Sequence, residues 1–100
     1  MSDPVFPSIA IVGAGLIGAS IARAAAEYGA AGSVILYDAS EDVRERANGL
    51  GLGAVADTLA ACVENADCVF LCVPVGALSA VAAEAVPHMK TGAILTDVGS

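Results

Sequence analysis

Positive charge is scarce in this chain. Lysine and arginine together number four, Arg23, Arg44, Arg46 and Lys90, against eleven acidic residues, for a formal net charge of −7. The four form no cluster, so the sequence lacks the basic footprint that neutralises nucleic-acid phosphates, and no nucleic-acid partner is expected. Acidity of this order serves solubility. Cysteine is also sparse. Cys62, Cys68 and Cys72 are an odd number whose spacings match neither a zinc ribbon nor a CxxC redox pair, so no metal site is expected. Cys68 and Cys72 sit in an apolar run and read as small buried hydrophobes. Long hydrophobic runs are missing despite 57% apolar residues and a mean hydropathy of +0.77. No stretch approaches the ~18 uninterrupted apolar residues of a spanning helix, because glycine or proline breaks the two richest runs, 9–22 and 68–78. The opening Met1-Ser2-Asp3-Pro4 has no basic start of a signal peptide, so a cytoplasmic protein with no membrane partner is expected. One hundred residues of this composition allow one domain, 1–100, with one core.

What is present is an alternation of short apolar runs and helical patterns. Ser8–Val12 is apolar without alternation, as suits a strand covered on both faces. The segment from Gly15 to Tyr28 is alanine-rich, with Ser20, Arg23 and Glu27 on one face and Ile17, Ile21 and Ala25 on another, which predicts a helix that Gly29 ends in a left-handed cap. Ser33–Tyr37 is a second strand, and Ser40 caps a second helix that ends near Asn48-Gly49. A weak third strand is expected around Gly53–Ala56, then a short helix capped by Asp57 and running to Glu64. Cys68–Val73 is the clearest buried strand. After Pro74, the residues Leu78, Val81, Ala82, Ala85, Val86 and Met89 give a helix an apolar stripe of 3.6 period, loosened at Pro87. Ala93–Asp97 is the fifth strand. Five strands alternating with four helices predict an α/β, doubly wound parallel sheet of order 3-2-1-4-5. A chain that stops just after its fifth strand without a polar tail reads as truncated there.

Within this pattern Gly13-Ala14-Gly15-Leu16-Ile17-Gly18 stands between the first strand and the first helix. This is the order that a dinucleotide-binding turn requires. Gly13 serves a tight turn out of the strand. Gly15 lets backbone approach a pyrophosphate, and Gly18 lets the helix pack closely on the sheet. The helix N-terminus, with Leu16 and Ile17 in its first turn, offers N–H groups and a partial positive charge to the phosphates.

Asp38 ends the second strand, 20 residues beyond Gly18. An acidic residue there hydrogen-bonds the adenosine ribose of NAD. It also disfavours NADP, since a carboxylate ~4 Å from a 2′-phosphate costs roughly 4 kcal/mol per unit charge at an effective dielectric near 20. The alternative is a turn aspartate that bonds its own backbone. Ser40 joins Asp38 among the cofactor-side candidates, as does Arg44, which has two readings: stacking on adenine, or softening the rejection of a 2′-phosphate. Val73 and Pro74 follow the fourth strand at the point where the strand order reverses. They are expected to face the nicotinamide-side ribose, or Pro74 simply ends a strand. The single histidine, His88, lies beyond the far end of its helix and is expected to be an exposed bystander. Ser100 falls on the productive edge and is either a catalytic-site residue or the N-cap of a following helix.

Together Val12–Gly18, Tyr37-Asp38, Cys72-Val73-Pro74-Val75 and Thr96-Asp97-Val98-Gly99-Ser100 resemble the prephenate and arogenate dehydrogenases of tyrosine biosynthesis. The resemblance covers the front of that family's Rossmann-type nucleotide-binding domain, and the terminal Thr-Asp-Val-Gly-Ser is its most specific element. It implies NAD as cofactor, prephenate or arogenate as substrate, and oxidative decarboxylation to an aromatic ring. It further implies a catalytic histidine and a carboxylate-binding arginine downstream of residue 100, Ser100 close to that histidine, and a helical domain that makes the full-length enzyme a homodimer. Two other functions share the first three motifs. One is a hydroxyacid dehydrogenase or imine reductase of the same superfamily, and the other is a non-catalytic nucleotide-sensing domain.

Overall fold

Ile9, Ala10, Ile11 and Val12 are all buried because their strand lies in the middle of the sheet with helices on both faces. A computed structural model of the chain describes residues 6–27 and 31–98. In chain order the elements are β1 (Phe6–Val12), α1 (Leu16–Glu27), β2 (Ala31–Tyr37), α2 (Glu41–Gly49), β3 (Ala54–Val55), α3 (Leu59–Val63), β4 (Cys68–Leu71), α4 (Val75–Ala85), a 3-10 turn (Val86–His88) and β5 (Ile94–Asp97). The five strands form one parallel sheet of order β3-β2-β1-β4-β5. The expected doubly wound arrangement is therefore the observed one. Gly29 and the end of the first helix at Tyr28 lie outside the described residues. No helix among the described residues is long and apolar enough to cross a membrane.

Period-two alternation along the strands divides the core into two layers. Ile9 and Ile11 of β1, Leu36 of β2 and Cys68 of β4 face Ala22 and Ala25 of α1 and Ala47 of α2. Ala10 and Val12 of β1 and Val69 and Leu71 of β4 face Leu59, Cys62 and Val63 of α3 and Ala85 of α4. Alanine on the helices lets them lie close to the larger strand residues. Each fully buried aliphatic side chain such as Ile11, Leu36 or Val69 contributes about 1.5–3 kcal/mol.

Several details differ from the sequence expectation: β1 starts at Phe6 and β2 at Ala31, each two residues earlier than expected, and β5 starts at Ile94. β4 ends at Leu71, not Val73, because β1 turns away at Gly13 and β4 loses its partner on that side past the bond from Cys72 N to Val12 O. Helix α3 is capped by Thr58, whose Oγ1 accepts from Ala61 N at 3.1 Å, and not by Asp57. Burial of Leu59, Cys62 and Val63 sets where that helix starts, so the residue before Leu59 becomes the cap. Val86 is 53% exposed although the stripe included it, since it lies about 100° around the helix from Ala85.

At the N-terminal edge of the sheet, Asp67 ties three strands together. Its carboxylate accepts from Ser8 N at 3.0 Å and pairs with Lys90, while its main chain bonds Ser8 O and Ile94 N. The hydrogen bond from Lys90, helped by the ammonium charge and Ser8 N–H, holds the Asp67 carboxyl below its ordinary value of 3.8. The ionised form is thus favoured in the folded chain. The stabilisation is fully present above that ordinary value and is lost as pH falls through the lowered one. Lys90→Met should therefore lose less thermal stability than the wild type between about pH 6 and about pH 2.5, followed by circular dichroism. Equal losses would show that the pair contributes nothing.

Candidate functional site

Strand register sets the site. Val12 pairs with both Tyr37 and Leu71, and Leu71 pairs with Asp97, so the C-terminal ends of four strands are level. Gly13, Asp38, Cys72 and Val98 consequently leave the sheet along one edge. Between β1 and β4 the order reverses, with α1 departing on one face and α4 on the other. Open α/β sheets bind ligands at such a switch point.

The glycine turn divides into two kinds of glycine. Gly13 has φ +101°, its N–H donates to Tyr37 O at 2.7 Å, and a Cβ on it would lie 2.3 Å from Cys72 O. Gly18 is buried, and a Cβ there would meet Gly13 O at 2.0 Å. These two are required by the fold. Gly15 is different. It does not have a positive φ, it is exposed, and a Cβ built on it meets nothing within 4 Å. Its carbonyl accepts the first bond of α1, from Ala19 N at 2.8 Å. That is the N-cap position, which serine or aspartate would serve better than glycine. Packing, backbone angle and capping all leave the choice of glycine at this position unaccounted for.

Asp38 is held from three sides. Oδ2 accepts from Ala14 N at 3.0 Å, Oδ1 accepts from Ser40 N at 2.9 Å, and its carbonyl accepts from Arg44 Nη1 at 2.7 Å. The local bond to Ser40 is the turn-aspartate reading of the sequence, and it coexists with a link to the glycine turn. A carboxylate oxygen accepts two hydrogen bonds, so each oxygen of Asp38 keeps one acceptor position. Ser40 is the N-cap of α2, its Oγ accepting from Val43 N at 3.4 Å. The Arg44 guanidinium carbon lies 5.7 Å from the Tyr37 ring centroid.

Gly13, Asp38, Ala39, Cys72, Val73 and Pro74 line a crevice of about 330 Å³. The structure therefore brings together the tight-turn glycine, the acidic residue and the segment after β4. Leu16 opens α1, and Ile17 in its first turn is 38% exposed. Arg44 lines a separate cleft of about 280 Å³ with Glu41, Glu45 and Asp57. Pro74 caps α4 with extended backbone, so it both ends the strand segment and starts the helix. Ser100 lies outside the described residues. His88 is exposed in the 3-10 turn, at the edge of the sheet where Asp67 and Lys90 meet. Cys62 is 1% exposed, and burial pushes its thiol up to about 12; burial also raises Cys68 and Cys72. None of the three is thus activated as a thiolate nucleophile. Nothing in the sequence marks Ala14, because it acts through its main-chain N–H.

Residues 21–100 match the family model described as the prephenate dehydrogenase nucleotide-binding domain. Over 97 residues the chain is 50% identical to cyclohexadienyl dehydrogenase from Zymomonas mobilis, covering 96% of the chain and 33% of that protein. It superposes on Synechocystis arogenate dehydrogenase with TM-score 0.83 and 30% identity, over 91% of the chain and 32% of that structure. A prephenate dehydrogenase from A. aeolicus, solved with hydroxyphenyl propionate and NAD+, matches with TM-score 0.84 and 25% identity, over 100% of the chain and 35% of that structure. The chain spans about a third of the length of these relatives.

The two kinds of glycine separate in a stability measurement. Gly13→Ala and Gly18→Ala should each cost about 1–3 kcal/mol in urea unfolding through backbone collision. Gly15→Ser should stay within about 0.5 kcal/mol of the wild type, since it keeps a capping residue. Equal destabilisation by all three would remove the distinction.

Proposed function

The chain belongs to the family of prephenate dehydrogenase nucleotide-binding domains, and from that premise we propose that residues 1–100 are the cofactor-holding unit of an NAD-dependent dehydrogenase acting on prephenate or arogenate. The observation that carries the reading is Gly15, a glycine at the mouth of a helix whose missing side chain leaves open space. A pyrophosphate seated there would fill what a Cβ would otherwise occupy, so the residues fit the cofactor.

In this reading the main-chain N–H groups at Leu16 and Ile17 and the dipole of α1 hold the pyrophosphate. Asp38 receives the adenosine ribose hydroxyls on its remaining acceptor positions, with Ser40 alongside. Val73 and Pro74 form the wall beside the nicotinamide-side ribose. Bound NAD supplies a hydride acceptor for the carbon that bears the substrate's ring hydroxyl. The chain's own contribution is to orient that acceptor at the C-terminal edge of the sheet. For the full-length protein the reading extends to a small cyclohexadienyl acid as substrate, a second copy as partner and a cytoplasmic location.

Calorimetry on the full-length protein tests this. NAD should bind at least tenfold more tightly than NADP, because Asp38 faces the position of a 2′-phosphate. Asp38→Ala should narrow that preference, and Gly15→Ser should weaken NAD by tenfold or more while leaving thermal stability unchanged. Equal affinity of the wild type for NAD and NADP would overturn the role of Asp38. Absence of NAD reduction with both prephenate and arogenate would overturn the substrate assignment.

A further inference from the structure

We propose that Arg44 is a positioning residue for the adenosine end of this site, acting on the ribose through Asp38 and not touching the dinucleotide itself. The inference rests on the proposed NAD site, and it replaces both roles that the sequence suggested for Arg44. Its guanidinium is already committed. Nη1 donates to the Asp38 carbonyl at 2.7 Å, a short charge-assisted bond, and the guanidinium lies 5.7 Å from the Tyr37 ring centroid. The side chain lines a cleft with Glu41, Glu45 and Asp57, and it is not among the residues that line the crevice of Gly13, Asp38, Val73 and Pro74.

This contact completes a closed loop of bonds. Asp38 Oδ1 accepts from Ser40 N, Ser40 O accepts from Arg44 N at 3.0 Å, and Arg44 Nη1 returns to Asp38 O. The loop fixes the peptide that follows Asp38, and with it the direction of the carboxylate. Tyr37 O, one residue earlier, receives Gly13 N. Both flanks of Asp38 are therefore pinned, one to the glycine turn and the other to the first turn of α2. Without Arg44 the peptide after Asp38 loses its own tether, and on that flank only the bond from Ser40 N to the carboxylate itself remains to orient it. Arginine suits the task because its planar fork can donate to a carbonyl while presenting a face to a ring, which an ammonium cannot do.

The test compares the full-length wild type and Arg44→Met with two ligands, NAD and an NAD analogue lacking both hydroxyls on the adenosine ribose. Methionine keeps an apolar stem over Tyr37 and removes the donor and the charge. Positioning through Asp38 predicts that Arg44→Met weakens NAD about tenfold and the analogue less than about twofold, with Arg44→Lys, which keeps a donor but not the planar face over Tyr37, recovering only part of the loss. Equal weakening of both ligands overturns the proposal, since stacking on adenine or a general loss of structure would produce it. Unchanged NAD affinity overturns it too. Should Arg44→Met fail to fold, Arg44→Leu, which likewise removes the donor and the charge, takes its place with the two ligands, and the same outcomes support or overturn the proposal. A wild type that binds neither ligand would instead count against the NAD site itself, which keeps the two failures distinguishable.

Discussion

Three stretches of backbone converge on Gly13, and their spacing leaves no room for a methyl group. The Gly13 N–H reaches Tyr37 O at 2.7 Å, Cys72 O stands where a Cβ would be, and the first turn of α1 brings Gly18 against Gly13 O. The first contact joins β1 to β2 beyond their ladder, the second sets β4 beside the turn, and the third fixes how closely α1 lies on the sheet. A side chain at Gly13 or Gly18 would push one of these apart, and the ends of β1, β2 and β4 would no longer be level. The crevice exists because they are level. The constraint that closes the fold and the constraint that shapes the site are thus one.

This coincidence explains why so much was legible in the sequence. Strand order, the two core layers and the positions of Gly13, Gly18 and Asp38 follow from residue types that only one backbone arrangement accommodates, or from apolar periodicity. Gly15 was legible from its place in the glycine turn, although nothing inside the chain requires a glycine there. Where sequence and structure part, local preference gave way to tertiary context. Aspartate is as good a cap as threonine, yet burial of Leu59, Cys62 and Val63 put Thr58 at the cap of α3. Apolar character ran on through Cys72 and Val73, yet β4 stopped where its neighbour turned away. Arg44 was the least legible, because a guanidinium bound to a main-chain carbonyl leaves no pattern in residue types. Its partner is an atom that every residue possesses.

The charge distribution bears on how an acidic chain can hold an anionic cofactor. Lys90 is engaged with Asp67 at the far edge of the sheet, and Arg44 with the Asp38 carbonyl. Arg23 and Arg46 do not line the crevice either, so attraction for a pyrophosphate in the proposed site comes from the N–H groups and dipole of α1, equivalent to about half a unit charge. Such a dipole acts within the first turn of its helix, whereas the net charge of −7 acts out to a screening length of about 8 Å at physiological ionic strength. The combination is selective. An extended polyanion meets repulsion over its whole length, while a single pyrophosphate lodged at the helix mouth meets mostly donors. An additional phosphate on the adenosine ribose would leave the helix mouth and approach Asp38, beside a cleft lined by Glu41, Glu45 and Asp57. In the proposed site the same scarcity of positive charge would favour a dinucleotide without a 2′-phosphate, with the Arg44 guanidinium already engaged by the Asp38 carbonyl.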